Sequence, residues 1–149
     1  MRILIGVLTA LLAGSAAFAA ETRVHHSEGD LKLGEYLDVK GTEDVRADFL
    51  KVKAMKRDGD KVADATATVD LRNLTKEEFF VTFAIVLLDK DGNVVACGSE
   101  TPTSWESRDK VRHGIDKDEQ FTVTILLGLV DLSSAKTYKV TVTTVPVKQ

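Results

Sequence analysis

The sequence predicts an all-β chain, an immunoglobulin-like or fibronectin-III-like antiparallel β-sandwich of about seven strands. Three observations carry this. Apolar residues recur at every second position, the period of a strand with one buried face: Ala65, Ala67, Val69 and Leu71 alternate with Thr66, Thr68, Asp70 and Arg72. The alternating segments are broken by turn chemistry, as in Arg57-Asp58-Gly59-Asp60 and Asp89-Lys90-Asp91-Gly92-Asn93. Helical periodicity of useful length occurs only at the amino terminus. Some seven such segments match the strand number of immunoglobulin-like sandwiches.

The first nineteen residues are expected to be a signal peptide. Arg2 supplies a positive start, Ile3 to Leu12 is an apolar run too short to span a bilayer, and Ala17-Phe18-Ala19 is a small-x-small cleavage site. No cysteine stands at that junction to carry a lipid, and no later segment is long and apolar enough for a membrane span. The expected location is therefore the periplasm, with secretion as the alternative. Cleavage after Ala19 leaves 130 of the 149 residues, the size of one domain. The organisation expected is a signal peptide over 1–19, a flexible polar leader over 20–30 and a single sandwich domain over 31–149. With Arg2 gone, 19 basic residues face 23 acidic ones. That mild acidity argues against nucleic acid, whose phosphates need a basic patch.

The strands are expected as follows. Leu31, Leu33, Leu37 and Val39 give the first, over 31–40. Residues 45–56 follow, with Leu50, Val52 and Ala54 on one face and Phe49, Lys51, Lys53 and Met55 on the other; two lysines pointing one way blunt an exposed edge. Residues 62–72 form the third strand. Residues 79–88 are apolar on both faces, which suits a central strand. Residues 93–98 complete a hairpin with it. Phe121, Val123 and Ile125 mark a strand over 120–127, and Tyr138, Val140 and Val142 one over 137–145.

Within this pattern, Ile85-Val86-Leu87-Leu88-Asp89 followed by Lys90-Asp91-Gly92-Asn93-Val94-Val95 resembles the FxLYD-type extracytoplasmic domains of bacteria. Leu87 and Asp89 match the signature, whereas Ile85 replaces its phenylalanine and Leu88 its tyrosine. Ile115 to Phe121 resembles the family's turn into its penultimate strand, without its proline-glycine pair. The likeness covers residues 62–145. It implies an immunoglobulin-like sandwich serving as an accessory or interaction module, and it transfers no catalytic residue.

Candidate chemistry is sparse. HExxH, paired CxxC, GxSxG and a phosphate-binding glycine loop are all missing from the sequence, so no enzyme activity and no cofactor are expected. Asp89, Asp91, Asn93, Val95, Cys97 and Glu100 fall at the ligand positions of an EF-hand loop, but Val94 stands where that loop requires glycine. A hairpin turn with Gly92 in the left-handed region is the better account. His25 and His26 are the candidates for a metal, near Glu28 and Asp30. Adjacent residues on an extended chain point to opposite sides, however, so the pair alone makes no chelating site. Cys97, the sole cysteine, is expected to be buried as a small hydrophobe, with availability for an intermolecular disulfide as the alternative. Asn73-Leu74-Thr75 fits the glycosylation pattern and reads as a turn.

The segment 100–114 is the longest connection in the predicted fold, and long connections in compact domains tend to carry function. It holds Trp105, the only tryptophan, with Glu106, Arg108, Arg112 and His113. These are the candidate partner-binding residues, since tryptophan and arginine concentrate binding energy at interfaces. Alternatively, Trp105 folds back as a lid on one end of the sandwich. The expected function is a non-catalytic module for interaction or assembly with an envelope protein. A periplasmic small-ligand or metal-binding protein is the alternative.

Overall fold

In the computed structural model, residues 21–56, 62–75, 79–101 and 120–146 are described. Alternation in sequence becomes alternation in burial. Ala63, Ala65, Ala67, Val69 and Leu71 point inward along one strand, and Phe79, Val81, Phe83, Ile85 and Leu87 along the next. Burying these side chains contributes ~1.5–3 kcal/mol for each large one, which is what brings two such faces together.

Among the described residues there are eight strands: β1 (Arg23–Asp30), β2 (Tyr36–Leu37), β3 (Val45–Lys56), β4 (Ala63–Asn73), β5 (Phe79–Leu88), β6 (Val94–Glu100), β7 (Gln120–Val130) and β8 (Thr137–Pro146). A 3-10 turn, Leu132–Ser134, precedes β8. The strands form two antiparallel sheets, β1-β8-β5-β6 and β2-β3-β4-β7. The all-β sandwich is therefore the fold of this chain. The order partly parallels that of immunoglobulin sheets: β3, β4 and β7 stand where strands A, B and E stand, and β8, β5 and β6 where F, C and C′ stand, while β2 lies outside the A position and no described strand stands at D. The position of the final strand, G, is filled from the other end of the chain by β1.

Two expectations are corrected here. Residues 23–30 are not a flexible leader but strand β1, paired with β8 from Arg23↔Thr144 to Asp30↔Thr137. Their sequence shows no apolar alternation because their inward positions are Arg23, His25, Ser27 and Gly29, which lie beside the core rather than in it. Polar contacts fasten the strand instead. Arg23 reaches Glu43 and Asp44, each at 3.0 Å, and the Lys40 amide donates to Ser27 Oγ at 3.0 Å. The second correction concerns 31–40, which lies mostly outside any strand. Only Tyr36 and Leu37 pair with β3, and Leu33 is exposed.

Three local features shape the sandwich. Gly29 lies opposite Tyr138, whose ring and hydroxyl come within 3.0–3.2 Å of where a Cβ would stand, and the Tyr138 hydroxyl donates to the Asp38 carbonyl. Burial is the main cause that raises the pKa of that hydroxyl. Gly98 of β6 sits against β7 with no room for a side chain, so the two sheets meet closely along this seam. In β3 the register jumps from Asp48↔Asp70 to Lys51↔Thr68, a bulge in which two residues oppose one. Val45 and Ala47 are buried before it and Leu50 and Val52 after it, so the buried face changes from odd to even positions, and Ala54 is left exposed beyond the core.

Candidate interaction surface

Trp105, Glu106, Arg108, Arg112 and His113 lie outside the described residues. His25 and His26 lie in β1 and point to opposite sides, as the extended backbone requires. His25 faces inward, while His26 is exposed and its Nδ1 lies 3.0 Å from Thr141 Oγ1. Among the described residues no group of three His, Cys, Asp or Glu side chains is placed to hold a metal ion. Cys97, expected to be buried, is exposed. The inward positions of β6 go to Ala96 and Gly98, and the residue between them must face out.

The acidic hairpin turn satisfies itself. Asp89 Oδ1 accepts from the amides of Asp91 and Asn93, both at 2.8 Å, and Oδ2 accepts from Asn93 Nδ2 at 3.0 Å. The Asn93 side-chain amide, with its backbone N–H next, holds the Asp89 carboxyl below its ordinary value. Asp91 is paired with Lys90 at 2.8 Å. Asn73 is likewise used locally: fully buried, its Oδ1 accepts from the amide and the hydroxyl of Thr75, both at 2.9 Å.

The outer face of the β2-β3-β4-β7 sheet carries an aromatic and aliphatic strip along its β2–β3 margin. Phe49 is the extra residue of the β3 bulge and adopts φ 55°, the left-handed region that a bulky side chain avoids. That conformation costs ~1–3 kcal/mol. It aims the ring outward, where Phe49 remains 57% exposed. The Tyr36 ring, 65% exposed, meets it edge-on, with centroids 5.6 Å apart at 68°. Lys51 Nζ stands 4.0 Å over the Tyr36 ring, a cation–π contact. Further along the same margin Met55 is 72% and Leu33 46% exposed.

Past the end of β2 these two residues flank a groove of about 650 Å³ lined also by Gly34, Lys53, Ala54 and Lys56, with Asp64 at its side. Among the described residues neither Lys53 nor Lys56 forms an ion pair. Exposed aromatic rings, apolar walls and free lysines suit the burial of another molecule's surface. A second groove, by Arg23, His25 and Glu43, is polar, and its arginine is already paired with Glu43 and Asp44.

Inspection of period-2 alternation missed this strip because it treats Phe49 as one more outward residue. A signal was present: the apolar phase slips between Val45-x-Ala47 and Leu50-x-Val52, and a slip of one residue within a strand marks a bulge. No protein-family model matches the chain, and no curated protein matches it either.

Proposed function

We propose that this chain is a non-catalytic interaction module, exported to the cell envelope, whose partner docks on the margin formed by Tyr36, Phe49 and Lys51. The observation that carries the reading is the φ of 55° at Phe49. A bulky residue held in that region at a cost of ~1–3 kcal/mol, yet with its ring largely in water, serves something other than the packing of its own domain. The rings and lysine standing there are the kinds of group that anchor interfaces. The immunoglobulin-like strand order adds support, since such sandwiches serve as rigid carriers of binding surfaces.

Phe49→Gly tests this. Glycine takes the left-handed conformation freely, a gain of ~1 kcal/mol. The lost half-buried ring and its edge contact with Tyr36 cost ~1–2 kcal/mol. The two nearly offset, so the variant keeps the fold while losing the surface. Tagged protein and variant are passed over native envelope extract, and co-eluting proteins are identified by mass spectrometry. One stoichiometric partner held by the parent and lost by Phe49→Gly, at nearly unchanged melting temperature, is expected. A partner held equally by both overturns the placement of the site, and a parent with no partner overturns the function.

A further inference from the structure

We propose that residues 53–56 of β3, beyond the end of β2, accept an extended acidic peptide of another protein as an added antiparallel strand. This deepens the function proposed above and rests on it, since it assigns a binding mode to the same margin.

The backbone supplies the first argument. β2 pairs with β3 only at Tyr36↔Lys51 and Leu37↔Leu50. One more bond, from the Gly34 amide to the Val52 carbonyl at 2.8 Å, follows before the chain turns away, with the Glu35 amide donating back to the Lys32 carbonyl. In a strand, alternate residues present N–H and C=O to the same edge. Val52 faces the β2 edge, so Ala54 and Lys56 do too, and no described strand lies there. A peptide continuing the line of β2 meets both residues' donors and acceptors.

Side chains supply the second. Lys53 and Met55 share the outer face of β3, so the peptide residues opposite them also share one face, two positions apart. Because the pairing is antiparallel, the residue opposite Met55 comes first. The recognised pattern is therefore apolar-x-acidic: an apolar residue against Met55 and Leu33, then Asp or Glu against Lys53. Lys56 adds a second positive charge, against the single carboxylate of Asp64 in the groove lining.

Charge also decides who the occupant is. A second copy laid antiparallel on this edge brings Lys53 opposite or diagonal to its own copy, so like charges crowd the seam and disfavour self-pairing. The same lysines that bar self-pairing attract an acidic strand. The arrangement is strand addition with charge-set specificity.

The test uses the mature protein and two blocked seven-residue probes of alternating threonine, one with leucine then glutamate at the apolar-x-acidic positions, the other with lysine for glutamate. Binding is followed by fluorescence anisotropy and by amide chemical shifts in isotope-labelled protein. The acidic probe is expected to bind with its shifts centred on Ala54 and Lys56, and roughly tenfold more tightly than the lysine probe. Lys53→Glu is expected to reverse that preference, and a reversal also shows that the variant is folded. Ala54→Pro removes an N–H that faces the open edge rather than the β4 ladder, and is expected to abolish binding.

No binding at about 1 mM probe, equal binding of the two probes, or shifts centred elsewhere overturns the proposal. So does self-association of the unliganded protein through this edge, or capture by anionic vesicles that Lys53→Glu abolishes. A captured envelope partner that depends on Phe49 but ignores both Lys53→Glu and Ala54→Pro overturns this inference and leaves the proposed function standing.

Discussion

Substituting alanine for Gly98 probes how closely the two sheets meet. Gly98 does not lie in the left-handed region, so alanine fits its backbone. In an open position the change would stabilise the protein by ~0.4–1 kcal/mol, because the unfolded chain loses freedom. The seam reverses the sign. A Cβ at 98 falls 2.7 Å from Ile125 Cγ2 and 2.8 Å from the Leu126 carbonyl oxygen, both inside van der Waals separation. Neither neighbour yields easily: Ile125 is fully buried, and Leu126 is held in the β4–β7 ladder opposite Thr66. Overpacking of this kind costs ~1–3 kcal/mol. The net expectation is a loss of ~1–2 kcal/mol, which lowers the melting temperature by about 5 °C or somewhat more for a domain of this size. Urea unfolding followed by far-UV circular dichroism measures it, with the slope checked to be unchanged. A midpoint that stays level or rises refutes the close seam, since only the clash makes the substitution unfavourable.

Two further expectations concern the edges of the fold. Because the Asp89 carboxyl is held below its ordinary 3.8, its contribution is full above that value and drains away as pH falls through the lower folded value. Asp89→Asn should flatten the acid limb of the melting-temperature curve below pH 4, and parallel curves for parent and variant would sink the assignment. Removing residues 21–30 takes no side chain from the buried core but bares the edge of β8. The shortened protein should fold by circular dichroism and self-associate in sedimentation velocity, whereas a stable monomer would show that β1 is not the cover of that edge.

Burial of one face made most of the sandwich legible in sequence. β3 and β5 run over the residues their alternation or apolar content marks, and β4, β6, β7 and β8 differ from expectation only at their ends. Residues 79–88, apolar on both faces, indeed lie between β6 and β8. Where burial does not choose the residues, sequence patterns fell silent. β1 is held by backbone pairing and by Arg23, Ser27 and their partners, none of which alternates with hydrophobes. The spacing of Leu31, Leu33, Leu37 and Val39 imitates a strand, yet Gly34 at φ 79° turns the chain in its midst. Cys97 took the outward position because Ala96 and Gly98 flank it, a matter of strand phase that residue type alone does not reveal. The Phe49 margin was written in sequence as a slip of phase, but the outward aim of its ring follows from the φ of 55° at the bulge, which no residue type announces.

The filling of the last sheet position by the first strand has a consequence in time. His26 and Thr141, neighbours in the finished sheet, are 115 residues apart along the chain. β8 itself stands between β1 and β5, so it is the piece that joins the amino-terminal strand to the rest. A chain that emerges amino terminus first must hold β1 unpaired until β8 arrives. Such long-range closure belongs to the slow end of two-state folding, ~milliseconds to seconds. Completion is thereby tied to completeness, and a polypeptide cut short before Thr137 lacks the one strand that both β1 and β5 require.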